Sequence, residues 1–227
     1  MKKNILLQIT AVLFLLLVVQ SVFAHGMSEA EKQTILQGGN LQYLKIGATH
    51  MLTGYDHLLF VFGIVFFLTT FIDVVKYITA FTIGHSITLI TATLMGVTVN
   101  YFLIDAVIAF SIIYKGFDNL GGFKLLFGRQ PNTKIAVLIF GLFHGFGLAT
   151  KLQDFSLPEE NLMSNMLAFN VGVEIGQGIA LLFILTLLGF WRRHNSYFTF
   201  ANASNTLLMS GGLVLLGFQL TGYFTAI

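Results

Sequence analysis

The 227-residue sequence has no cysteine, two prolines and one tryptophan, and only 10% of its residues are charged. Without cysteine, disulfides, thiolate metal sites and thiol catalysis are excluded. Any metal site must then use imidazole, carboxylate, amide or backbone oxygen, donors that suit nickel, cobalt or zinc better than copper(I). Soluble domains are about a quarter charged, so the charge needed to cover a water-facing surface is missing. With 56% hydrophobic residues and a mean hydropathy of +0.82, the chain reads as an all-α, polytopic membrane protein with a single helix-bundle domain. Its twelve Lys and Arg are scattered rather than clustered, which gives nucleic acid nothing to bind. No Gly-x4-Gly-Lys-Ser/Thr loop is present for a nucleotide.

Residues 1–24 have the form of a cleaved signal peptide, with Lys2 and Lys3 before an apolar core and Val22-Phe23-Ala24 as the cleavage pattern. An uncleaved first transmembrane helix is the alternative. Cleavage after Ala24 would make His25 the mature N-terminus, where a free amine and an imidazole on one residue form a chelating pair. The alternative is that a histidine simply follows the cleavage site. Residues 25–45 read as a short periplasmic segment, able to form an interfacial helix. Residues 46–227 read as six spans of roughly 20 residues each, at 46–71, 74–96, 101–122, 133–151, 163–190 and 202–224. Pro131 and Pro158 fall in the loops.

Lys76, Lys124, Arg129, Lys134, Arg192 and Arg193 then gather on one side, against Lys32, Lys45 and Lys151 on the other. The positive-inside rule places the richer side in the cytoplasm and both mature termini in the periplasm of a bacterial inner membrane.

The most informative stretch is His50-Met-Leu-Thr-Gly-Tyr-Asp56-His57. Seven steps are almost two helical turns, so an unbroken helix would project His50 and His57 from one side. Ionisable groups in hydrocarbon are costly and mark functional sites. Counted along their spans, His57, His85, His144 and Glu174 all fall near mid-bilayer, each from a different span. Three imidazoles and a carboxylate at one depth make a plausible set of ligands for a divalent cation. Each alone would more often be a hydrogen-bonding partner inside the bundle.

Asn170, Glu174 and Gln177 form a polar stripe on the fifth span, and Thr79, Thr82 and Ser86 give the second span a milder one beside His85. Gly141 and Gly145 would let the fourth span approach a neighbour closely. His50 and Asp105 lie nearer the outer surface, as an arrival station or as support for the ligands. Asp105 would equally serve as a helix-start residue, and Lys115 with Asp118 reads as a neutralising pair. Phe81-Thr-Ile-Gly84 parallels Phe169-Asn-Val-Gly172, and His57 is paired with His144, a hint of two inverted halves.

Taken together, His50-x5-Asp56-His57, Phe81-Thr-x-Gly-His85-Ser86, Phe143-His144-Gly145 and Phe169-Asn170-x-Gly-x-Glu174 resemble the HupE/UreJ family. The resemblance covers nearly the whole mature chain. It implies an inner-membrane permease for nickel, or cobalt, linked to maturation of hydrogenase or urease. Carried over by position, His50, Asp56, His57 and His144 are the transport-critical candidates, with His85 and Glu174 as companions. The fourth span departs from the family form by lacking a second histidine after His144.

The expected function is therefore secondary transport of a divalent cation, which is cargo rather than a resident cofactor. The alternative is an intramembrane zinc hydrolase, with three histidines on zinc and Asp56 or Glu174 as general base.

Overall fold

Apolar chain within a bilayer satisfies its backbone polar groups by forming helices, and glycine sets how closely those helices pack. The computed structural model describes residues 39–153 and 161–226. The leader, His25 and the chain up to residue 38 lie outside the described residues. The described chain is helical, with no strand among those residues. It comprises α1 (Asn40–Thr53), α2 (Tyr55–Val65), α3 (Phe71–Met95), α4 (Tyr101–Asn119), α5 (Gly122–Phe127), α6 (Thr133–Gln153), α7 (Leu162–Trp191) and α8 (Ser196–Thr225).

Four of these, α3, α6, α7 and α8, are long and apolar enough to cross a membrane, at 25, 21, 30 and 30 residues. The protein is thus a membrane protein. The first and third expected spans take other forms. The helix expected over 46–71 instead starts at Asn40, breaks at Gly54 and ends at Val65, so neither half reaches spanning length. Gly54 is extended, with φ −71° and ψ 105°, and its N–H reaches the His50 carbonyl at 3.0 Å. A Cβ there would stand 2.8 Å from His57 Nδ1 and 3.0 Å from an Asp56 carboxylate oxygen. Only glycine leaves room for both groups at the break. The third expected span, α4, has 19 residues but carries Asp105, Lys115 and Asp118.

Local signals set the other boundaries. Thr70 caps α3 by accepting from the Asp73 N–H at 3.2 Å. At the far end Gly96 adopts a left-handed conformation, φ 66°, which glycine alone reaches without cost. Asn100 caps α4 by accepting from the Leu103 N–H at 3.3 Å.

The helices associate as three close pairs, α1 with α7, α3 with α6, and α4 with α8. Backbone lies on backbone in each. A Cβ on Gly47 would collide with the Phe169 carbonyl, and one on Gly172 with the Leu44 carbonyl. Gly141 and Gly145 abut the carbonyls of Phe81 and His85 in the same way. Lipid offers apolar surface no worse than another helix, so such small-residue packing rather than hydrophobicity drives association. Residue numbers rise together across α1–α7 and across α3–α6, so those pairs run parallel, whereas α4 and α8 run antiparallel.

Two apolar clusters fill the bundle at opposite ends. One contains Phe60, Phe81, Phe140 and Leu208, and the other Ile46, Leu89, Leu148 and Phe169. His85 falls between Phe81 and Leu89 on α3, and His144 between Phe140 and Leu148 on α6. The histidines therefore occupy a polar layer between two apolar plugs. At the end of α2, Arg192 donates to the carbonyls of Val65 and Phe66 at 2.7 Å each, satisfying acceptors that the helix end leaves open.

Candidate metal centre

The break at Gly54 puts His50 in the last turn of α1 and His57 in the first turn of α2. Their ring centroids are 5.0 Å apart at an interplanar angle of 76°. His144 on α6 also lies 5.0 Å from His57, at 74°. The ring contacts thus run as a row, His50 to His57 to His144, with His57 common to both. Two imidazoles bound to one tetrahedral ion at metal–nitrogen distances of about 2.1 Å have centroids roughly 5 Å apart, the spacing seen at both steps of this row.

The ring nitrogens show how each histidine is oriented. His57 Nδ1 donates to Asp56 Oδ1 at 2.8 Å, and the same oxygen accepts from the His57 backbone N–H at 2.9 Å. This contact fixes the proton on Nδ1 and leaves Nε2 for another partner. His144 Nδ1 donates to the Phe140 carbonyl at 2.8 Å, and its Nε2 is buried without a hydrogen bond. His50 Nε2 is likewise buried and unpaired. Metal-binding imidazoles are held this way, with one nitrogen tied to a carboxylate or carbonyl and the other presented to the ion.

His85, 1% exposed, has both ring nitrogens buried and unpaired. Phe81 touches both it and the row: its ring stacks on His85 at 6.0 Å and meets His144 edge-on at 4.9 Å. His85 thus shares the layer and is linked to His144 through the Phe81 ring.

The polar stripes of α3 and α7 meet. Ser86 Oγ donates to Asn170 Oδ1 at 2.9 Å, and Thr82 Oγ1 donates to Gln177 Oε1 at 3.3 Å. Asn170 and Gln177 are buried, and Gln177 Nε2 is unpaired. Glu174 falls just outside the buried arc of α7. It is exposed on the outer arc of α7, beside Val171, Ile175 and Gly178, so it is not brought into the row with the histidines.

Asp105 lies on α4 with both carboxylate oxygens near Lys151 Nζ, at 2.8 and 3.1 Å. Lys115 and Asp118 form a buried ion pair at 2.7 Å, with Gln130 Nε2 also donating to Asp118 at 2.9 Å. Among the described residues, no three His, Asp or Glu side chains converge as a finished metal shell. The arrangement is a row of two-imidazole steps supported by one carboxylate.

Sequence reasoning missed the break at Gly54, the carbonyl partner of His144 and the partner of Asp105. Lys151, in the last turn of an apolar helix, was the legible signal for that last pairing.

A family model described as HupE / UreJ protein matches residues 26–227. No curated protein and no solved structure matches the chain. The family match takes in α1 to α8 and every residue of the histidine layer: the chain belongs to the HupE/UreJ family.

Proposed function

We propose that this protein is a secondary permease for a divalent transition-metal cation, nickel foremost and cobalt next, and that His50, His57 and His144 bind the cargo. The supporting observation is the set of buried, unpaired Nε2 atoms on His50 and His144, flanking a His57 whose Nδ1 is tied to Asp56. A buried polar atom without a partner costs about 1–3 kcal/mol, and a cation bound between the rings removes that cost. The family points the same way, toward a nickel or cobalt accessory or transport role.

Six spans fit this reading, with α1 and α2 together forming the first and α4 the third. The parallel run of α1 and α7, and of α3 and α6, is what six alternating crossings require. The Lys and Arg distribution then sets the α2 end of the first span in the cytoplasm. A cation arriving at His50 would pass to the His57–His144 step and leave on the Arg192 side. A broken helix at mid-membrane is a recurring device for such sites, since it frees polar backbone and side chains toward the cargo.

A zinc hydrolase needs three ligands already gathered on one ion. The two-at-a-time spacing of this row suits a cargo that must leave.

The test is accumulation of radiolabelled nickel in cells expressing the chain, with cobalt and zinc as competitors. Uptake above the empty-vector control is expected, lost in His57→Ala at equal membrane abundance. Equal uptake with and without the protein would sink the reading.

A further inference from the structure

We infer that the chain is two inverted three-helix halves, caught in one of two interchangeable arrangements, and that the other arrangement closes α8 onto the first span while opening α4 from α6. The inference rests on the permease reading for its purpose, though its geometry stands apart from it.

The halves can be matched contact by contact. Gly47 of α1 sits on the Phe169 carbonyl of α7, and Gly141 of α6 sits on the Phe81 carbonyl of α3. Gly172 sits on the Leu44 carbonyl, and Gly84 on that of Leu138. In the third pair, Gly116 meets Met209 and the Asn205 carbonyl, while Gly212 meets Ile113 and the Ala109 carbonyl. Exchanging Gly47 with Gly141, Gly84 with Gly172 and Gly116 with Gly212 turns every one of these contacts into its counterpart. The first span thus corresponds to α6, α3 to α7, and α4 to α8. Parallel pairs for the first two and an antiparallel pair for the third are what a two-fold axis in the membrane plane produces.

This correspondence reassigns the histidines. His50 lies three residues beyond Gly47, and His144 three beyond Gly141. They are the matched pair, and His57, 5.0 Å from each ring, has no imidazole counterpart. His50 and His144 therefore lie on either side of the axis that relates the halves.

Two matched contacts break the symmetry. The first span packs against α4, where Asn119 Nδ2 donates to the Gly63 carbonyl at 2.8 Å, whereas α6 has no comparable packing on α8 among the described residues, so the alternative state exchanges this contact too. On one side α6 packs against α4, where a Cβ on Gly147 would stand 2.9 Å from Ile104 Cγ2 and 3.5 Å from Ile108 Cδ1. On the matching side the first span meets α8 toward the far end of α2, where a Cβ on Gly63 would stand 2.8 Å from Leu208 Cδ2, but the space nearer Leu52 and Leu59 is open. A groove of about 650 Å³ runs there, lined by Leu52, Leu59 and Phe62, by Ile179 and Phe183 of α7, and by Ser204 of α8. Counting from the matched glycines, Gly147 corresponds to Thr53, Ile104 to Phe200 and Ile108 to Ser204. Symmetry supplies the geometry of the alternative state: Thr53 reaches Phe200 and Ser204 as Gly147 now reaches Ile104 and Ile108. The apolar groove receives α8 in that state, and the histidine row is uncovered from the opposite face.

The cysteine-free chain allows a direct test in the full-length protein. The pair Ile104→Cys with Gly147→Cys reports the arrangement seen here, and Thr53→Cys with Phe200→Cys reports its counterpart. Thr53→Cys with Ser204→Cys serves where Phe200→Cys fails to accumulate. Disulfide formation in membranes under mild oxidant is followed by loss of maleimide-reactive thiols.

Both pairs are expected to cross-link in separate variants, each stopping nickel uptake until a reductant restores it. A four-cysteine variant should carry one bridge or the other in any molecule. Failure of both Thr53 pairs to cross-link, in protein that forms the 104–147 bridge, would overturn the inference, as would both bridges in one molecule. Cross-linking of both pairs in a protein that takes up no metal would instead sink the permease reading and leave the inverted halves standing.

Discussion

At the scale of single residues, the histidine layer is defined by which ring nitrogens have partners. Asp56 holds His57 by Nδ1 at 2.8 Å, and its charge favours a cation on the far nitrogen. Asp56→Asn keeps an oxygen acceptor but loses that charge. Changes of this kind typically weaken metal binding about 10- to 100-fold. A fall in that range is expected in nickel titration of the purified protein by calorimetry, and unchanged affinity would remove Asp56 from the site. His85 separates two roles. Both its nitrogens are buried and unpaired, so His85→Phe should raise the thermal midpoint by relieving a penalty of about 1–3 kcal/mol. If uptake falls in the same variant, His85 serves the cargo path; if uptake is untouched, it is packing alone.

At the scale of helices, backbone-to-backbone contact at glycine is what holds the pairs. Gly145→Ala drives a methyl into the His85 carbonyl and the Thr88 hydroxyl, with no flexible atom to yield. A loss of roughly 1–3 kcal/mol is expected from such overpacking. Gly178→Ala on α7 meets nothing within 4 Å and should be neutral, or stabilising by up to about 1 kcal/mol through helix propensity. Thermal unfolding of the two variants in detergent checks the contrast, and equal midpoints would mean that the α3–α6 contact is not the one that matters. The element scale also shows where spacing arguments fall short. His50 and His57 do lie side by side, but across a break rather than along a helix. The sequence showed Gly54 without showing that a side chain there would meet both His57 and Asp56.

At the scale of the whole molecule, depth was legible and facing was not. Counting along each apolar run put His57, His85 and His144 at one level, and the structure keeps them in one layer. The same count put Glu174 there too, yet an α-helix advances about 100° per residue. Glu174 is therefore turned about 40° from Asn170, just beyond the arc of α7 that the bundle buries. No sequence pattern marks that edge, because it is set by how α1 and α3 happen to flank α7. The inverted repeat was visible in Phe81-Thr-Ile-Gly84 and Phe169-Asn-Val-Gly172. Only the glycine contacts reveal that His144 answers to His50 and not to His57. The helix expected as the third span, α4, is not among the four long apolar helices because it carries Asp105, Lys115 and Asp118, whose partners lie elsewhere in the fold or one turn along it.

The most direct test of the central claim is nickel entry into liposomes holding the purified protein alone, compared among the wild type, His50→Ala, His57→Ala and His144→Ala. Downhill uptake by the wild type is expected, with loss in all three variants at equal reconstitution. Liposomes that admit no nickel, cobalt or zinc, made from protein that keeps stoichiometric zinc through chelator dialysis, would contradict it and point to a membrane hydrolase instead.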